Sequence, residues 1–183
     1  MTLNEYQALA QRTSPNDGHD RMDNAMLGLI GETGEIIDVF KKYIYQSSPE
    51  TKLPTEKFAE EIGDVMWYMA ELAAGMEARI GDIAGNSFSQ FDKDAARRCG
   101  TTGNLRREVT KMHRCADMIC IAIEKNAHRE QIKYMRRMIS RAARLACMNG
   151  YTLEEVCRKN IQKLQARYPE GFDARASMRR YER

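Results

Sequence analysis

Two acidic pairs carry the first hint of chemistry in this chain. Glu32 and Glu35 lie within the stretch Gly31 to Asp38, and Glu61 and Asp64 lie within Glu60 to Asp64. Each pair is three residues apart in a helical pattern, a spacing that puts both carboxylates on one helix face. Like charges so placed repel by a few tenths of a kcal/mol on an exposed helix, and by more where water is partly excluded. A hard divalent cation relieves that repulsion, and ligands that are all oxygen select magnesium or manganese over zinc or copper. A solvated acidic face is the plain alternative for a single E-x-x-E; two such pairs on helices joined by a hairpin-length loop favour a shared cation. Far along the chain, Asn160, Lys163 and Arg167 recur at i, i+3 and i+7, bringing an amide and two cations to one helix edge. No Ser-His or Cys-His arrangement suggests a covalent nucleophile.

The elements that must position these groups read as helices. Thr2 to Glu5 forms a capping box that opens a short helix carrying Tyr6, Leu9 and Ala10 and ending near Thr13. Ser14 to Gly18 is a turn cluster, with His19 beyond it as a surface or capping residue. The spacing predicts a helix over about 20–46 with an apolar stripe at Met26, Leu29, Ile30, Thr33, Ile37, Phe40 and Ile44. Relative to that stripe Glu32 lies roughly 100° away and Glu35 roughly 160°, on the flank. Gly28, Gly31 and Gly34 interrupt this helix, each at about 1 kcal/mol relative to Ala, which suits the close approach of another backbone or a ligand. Lys41 and Lys42 follow; phosphate contact and compensation of the helix dipole explain them equally.

After a loop over 47–54, Thr55 is the expected cap of the next helix. Its stripe comprises Phe58, Ile62, Val65, Met66, Met69, Leu72, Ala73 and Met76. Glu61 and Asp64 lie about 80° and 140° from that stripe, matching the first pair. Trp67 and Tyr68 make a second apolar side that another helix or subunit would cover. From Gly81 to Gly103 the periodicity fades, leaving a loop-rich connection with one short helix at Asp92–Arg98. Leu105, Val109, Met112, Ala116, Ile119 and Ile123 mark a packing seam, and Met135, Met138, Ile139, Ala142 and Leu145 another, ended by Asn149-Gly150. The opposite side of that helix carries Lys133, Arg137, Arg141 and Arg144, read as a solvated face ahead of a phosphate-binding one. Thr152 to Glu155 is a second capping box, and Tyr168 to Phe172 breaks the last helix before a basic tail.

Composition agrees. With 183 residues, 43% of them hydrophobic, the chain makes one domain, and its wealth of Ala, Leu, Glu, Lys and Arg favours an all-α class. No apolar run approaches the roughly 20 residues needed to cross a bilayer, and the first residues lack a leader pattern, so a cytoplasmic protein without membrane contact is expected. The five cysteines show no C-x-x-C and fit reduced, packed thiols better than a zinc site with His113. Residues 1–91 hold 7 Lys and Arg against 15 Asp and Glu, whereas 92–183 hold 22 against 11. An acidic half suited to cations thus faces a basic half suited to phosphates.

At this point the chain resembles the MazG-like all-α nucleoside triphosphate pyrophosphohydrolases, in the small phage and bacterial form. Their E-x-x-E followed by E-x-x-D is met by Glu32, Glu35, Glu61 and Asp64. The surroundings also read alike, over Gly28 to Asp38, Glu60 to Tyr68 and Asn160 to Phe172, as does the opening Tyr6-Gln7 with Arg12-Thr13. The resemblance covers roughly 1–76 and 145–183; residues 77–144 look like an insertion of two or more helices before the last one. It implies a helical bundle whose four acids hold magnesium, with manganese able to substitute, and Glu35 as the carboxylate that orients or deprotonates water. It further implies phosphate contacts from Asn160, Lys163 and Arg167, helped by Lys42 or Lys57, and base contacts from Tyr6, Gln7 or Trp67. Cleavage of a nucleoside triphosphate to monophosphate and pyrophosphate follows, in a dimer or tetramer unless the insertion replaces the subunit contact. Nucleic acid is not an expected partner. The alternatives are a narrow dUTP or dCTP pyrophosphatase, or a noncatalytic helical module that binds nucleic acid or a partner through Lys133–Arg144.

Overall fold

A computed structural model describes residues 1–15, 20–48, 50–102 and 104–173, so His19 and the basic tail beyond Asp173 lie outside the described residues. Among the described residues there are eight helices and no strand. They are α1 (Leu3–Gln11), α2 (Arg21–Tyr45), α3 (Thr55–Gly75), α4 (Ile80–Ala84), α5 (Phe88–Thr102), α6 (Leu105–Glu124), α7 (His128–Met148) and α8 (Leu153–Arg167). Both capping boxes form: Thr2 accepts from the Glu5 amide and Thr152 from the Glu155 amide, each with its glutamate bonding back. Thr55 is the first residue of α3 and does not cap it; Pro54 precedes it with no side-chain cap.

α3 is the axis of the molecule, touching α1, α2, α4, α7 and α8. Phe58, Ile62, Val65, Met66, Met69 and Leu72 are all fully buried, at about 1.5–3 kcal/mol of apolar transfer each. α2 runs antiparallel to it: a Cβ built on Gly28 would fall inside the Tyr68 ring, and one on Gly75 would meet Met22. Gly28 is thus the glycine that a neighbour needs, while Gly31 and Gly34 face open space. α8 lies parallel to α3, with Lys159 against Glu56 and Lys163 against Asp64.

The stretch 77–144 is built into this core. α6 lies antiparallel on α2, where Thr33 shares a 2.9 Å hydrogen bond with His113, and α7 returns along α6 onto α3, α4 and α5. Met112, Ile119, Met135 and Met138 are fully buried, and buried residues of all eight helices form a single cluster. The faded region holds more helix than its pattern suggests. α4 stops at Gly85, whose φ of 66° suits glycine. α5 then runs for 15 residues on three buried anchors, Phe88, Phe91 and Ala95.

All five cysteines are free, and Cys157 is buried. No helix among the described residues is long and apolar enough to cross a membrane.

Candidate active site

The buried arc of α2 is not centred where the stripe suggests. Ala25, Leu29, Thr33, Ile36 and Val39 are its buried residues, whereas Ile44 is 47% exposed. Measured from Ile36 at 100° per residue, Glu32 lies only about 40° off the centre and Glu35 about 100°. The two carboxylates therefore part company. Glu32 is half-buried and turned toward α3, and Glu35 is exposed. On α3, Glu61 is buried at 4% exposure and Asp64 is half-buried, so Glu61 too is an inner residue and not a flanking one.

Carboxylate oxygens of Glu32, Glu61 and Asp64 lie within 4.8 Å of one another. Three of the four expected acids therefore meet. Glu35 instead lines a neighbouring groove of about 450 Å³ with Asp38, Lys42, Tyr43 and Lys57. Burial, with the charges of Asp64 and Glu61 beside it, pushes the Glu32 carboxyl up from 4.5 to about 7.

Two lysines offset part of this charge. Lys163 of α8 reaches both oxygens of Asp64 at 2.6 Å and lies 3.6 Å from Glu60. Lys57 pairs with Glu61 at 2.6 Å and with Glu60 at 3.0 Å. Glu32, Glu60, Glu61 and Asp64 against two ammonium groups leave a formal charge of two minus, which a divalent cation would balance. Hydrogen bonds hold the arrangement from behind. Asn160 donates to Asp64 at 2.8 Å and accepts from the Tyr6 hydroxyl at 3.0 Å, and Tyr6 is wholly buried. Asn160 fits there because residue 63 is glycine: a Cβ at that position would sit 2.9 Å from the Asn160 Cβ.

Beside the acids opens a cleft of about 330 Å³, where Glu32 and Asp64 meet Asn24, Trp67, Tyr68, Arg167, Tyr168 and Phe172. Trp67 and Tyr68 stand edge to face with centroids 4.9 Å apart, and Tyr168 and Phe172 are 5.6 Å apart. The segment after α8 is turned back onto the cleft by a bond from the Phe172 amide to the Arg12 carbonyl at 3.2 Å. Trp67 donates its indole N–H to the Ala10 carbonyl at 3.2 Å and Thr13 Oγ1 at 3.1 Å, so α1 covers the second apolar side of α3.

The remaining candidates are placed as follows. Arg167 lines the cleft, and Lys42 pairs with Asp38 at 2.6 Å in the Glu35 groove. Gln7 faces elsewhere: its amide donates to the Ala78 carbonyl at 3.0 Å and accepts from the Ile80 amide at 2.8 Å, which ties α1 to the start of α4. Sequence reasoning missed Gly63, Asn24, Tyr168 and Phe172. The available signal was Gly63, a glycine directly before Asp64 inside a helix.

No protein-family model matches the chain, and no solved structure matches it. A stretch of 98 residues is 28% identical to the Gene 37 protein of Mycobacterium phage L5, covering 50% of this chain and 86% of that relative.

Proposed function

We propose that this chain is a MazG-like nucleoside triphosphate pyrophosphohydrolase, cleaving a nucleotide between its α- and β-phosphates with magnesium or manganese. The observation that carries the reading is the convergence of Glu32, Glu61 and Asp64 beside Lys163 and Asn160. The donor set fits a hard cation: all oxygen, with a residual charge that two lysines leave unmet. Bound there, the cation would neutralise phosphate oxygens and acidify an attacking water.

The chain's own groups divide the remaining work. Asn160, braced by Tyr6, fixes the Asp64 carboxylate. Lys163, now paired with Asp64, would exchange that carboxylate for an arriving phosphate. Arg167 adds a second, fork-shaped donor at the cleft. The aromatic walls of Trp67, Tyr68, Tyr168 and Phe172 suit the flat faces of a nucleobase, and the cleft volume is at the lower end of that for small-molecule sites. Glu35, Lys42 and Lys57 border the adjoining groove, where the far phosphates would lie.

A panel of canonical and modified nucleoside triphosphates, incubated with and without magnesium, tests the reading. Monophosphate and pyrophosphate in equal amounts, with magnesium only, is the expected result. Release of orthophosphate, or no turnover of any nucleotide, would refute it.

The raised Glu32 pKa gives a test that needs no substrate. Its folded value, about 7, is above the ordinary 4.5, so the fold favours the protonated acid. Stability linked to this group is therefore full below the unfolded pKa and declines as pH climbs toward 7. With chelator present, Glu32→Gln is expected to stabilise the protein at pH 8 by about 1–2 kcal/mol, allowing for solvent screening at a partly buried group, and to change little at pH 4.5. Urea midpoints at the two pH values read this; equal shifts at both would refute it.

A further inference from the structure

Two of the five cysteines, far apart in the chain, are neighbours in space. Cys99 of α5 and Cys147 of α7 share a hydrogen bond between their thiols. That contact belongs to a packed interface, for α5 lies against α7. Asp92, Ala95 and Cys99 recur at i, i+3 and i+7 and so occupy one face of α5. Ala95 is buried there, and the charge of Asp92 also reaches the Cys147 thiol. Both cysteines are half-buried and thus partly open to small solutes. The other three are placed differently: Cys157 is wholly buried, Cys115 lies beside Arg141 and Arg137, and the Cys120 thiol reaches the Met26 carbonyl at 3.9 Å.

We propose that Cys99 and Cys147 are a redox pair, closed to a disulfide by hydrogen peroxide and reopened by thiols. The Cys99 sulfur attacks one peroxide oxygen, the O–O bond breaks, and the departing hydroxide takes up the thiol proton as water. The Cys147 sulfur then displaces the oxygen of the Cys99 sulfenic acid, which leaves as a second water with the Cys147 proton. Two thiols lose two electrons in all, and one peroxide is reduced to two waters. Burial first, and then the bond with Cys99, push the Cys147 thiol up to about 11, so it keeps its proton until the second step. The closed bond acts as a staple. The buried anchors of α5 are Phe88, Phe91 and Ala95, whereas residues 96–98 are exposed. A link at Cys99 therefore fixes the part of α5 that packing holds less firmly, and closes residues 99–147 into a loop. α5 in turn supports the start of α8, where Asp92 accepts from the Leu153 amide at 2.7 Å.

The test treats the full chain with hydrogen peroxide, blocks remaining thiols with iodoacetamide in denaturant, and maps tryptic peptides by mass spectrometry without reductant. The expected product is one peptide pair joined through Cys99 and Cys147, two hydrogens lighter than its separate parts and split by dithiothreitol. Cys147 and Cys157 share a tryptic peptide, so fragment ions must assign the bond. Cys99→Ser and Cys147→Ser, treated alike, should form no link and should melt like the untreated protein in its reduced form. Peroxide-treated wild type should melt about 5–10 °C above treated Cys99→Ser, a comparison that cancels oxidation of methionine. Cys99 oxidised but unlinked, a bond joining any other two cysteines, or a link with no rise in melting temperature would overturn the proposal. None of these outcomes depends on nucleotide turnover.

Discussion

Asp64→Asn is expected to lower magnesium-dependent pyrophosphate release by about a thousandfold or more, and Glu61→Gln to do the same. Each removes a charged oxygen from a three-carboxylate set, and loss of about 4 kcal/mol of transition-state stabilisation corresponds to that factor. Neither change should unfold the chain, since Asn and Gln keep the shape and can still accept from Lys163 or Lys57. Glu35→Gln is the informative contrast. Its carboxylate lies outside the set and faces the Lys42 groove, so its loss should cost less than about tenfold and should leave the magnesium dependence unchanged. A thousandfold loss there, with Asp64→Asn nearly silent, would show that the cation is held elsewhere. The measurement is pyrophosphate release against magnesium concentration for the three variants.

Glu108→Gln should be the most damaging single change to stability outside the core. Glu108 Oε2 lies 2.6 Å from Arg141, and Oε1 lies 3.2 Å from Arg144 and 3.7 Å from Arg107. Burial already holds the Arg144 guanidinium below its ordinary pKa, with Arg141, Arg98 and Arg107 repelling it and Glu108 opposing them. Without the carboxylate the arginines confront one another with no counter-charge, at a cost of about 3 kcal/mol. For a chain of this length that lowers the melting temperature by on the order of 10 °C. Added sulfate should restore part of the loss. Glu130→Gln, which breaks an exposed pair, should cost under about 0.5 kcal/mol. Equal effects of the two substitutions in thermal denaturation would contradict this account.

Much of the helical framework was legible because its signals are local. The capping boxes at Thr2 and Thr152 and the stripe from Phe58 to Ala73 depend on neighbours within a turn or two, and each is present. What failed depends on which helix takes which side. Thr33, in the predicted stripe, meets His113 of α6, whereas Gly28, on the other side of Ile36, lies against Tyr68 of α3. The sum of the two arcs places Glu32 inside and Glu35 outside, and periodicity alone cannot supply the second partner. α5 was underestimated because three anchors in 15 residues barely exceed what a loop would show. Gln7 was misplaced for a related reason: an amide that closes backbone groups of Ala78 and Ile80, at the entry to α4, looks in the sequence like one that could read a base. Tyr168 and Phe172 follow a helix-breaking proline, and only the return of the chain to Arg12 makes them walls of the cleft.

The position of α3 has a consequence for how a charged guest could enter or leave. Enclosed by five other helices, it offers no route to partial opening short of dismantling the whole molecule, and its amides should be among the slowest to exchange with heavy water. Glu61 and Asp64 are thus the fixed jaw of a vice. On the proposed function, entry and release would fall to the aromatic turn after α8, which borders the cleft, and not to the central rod.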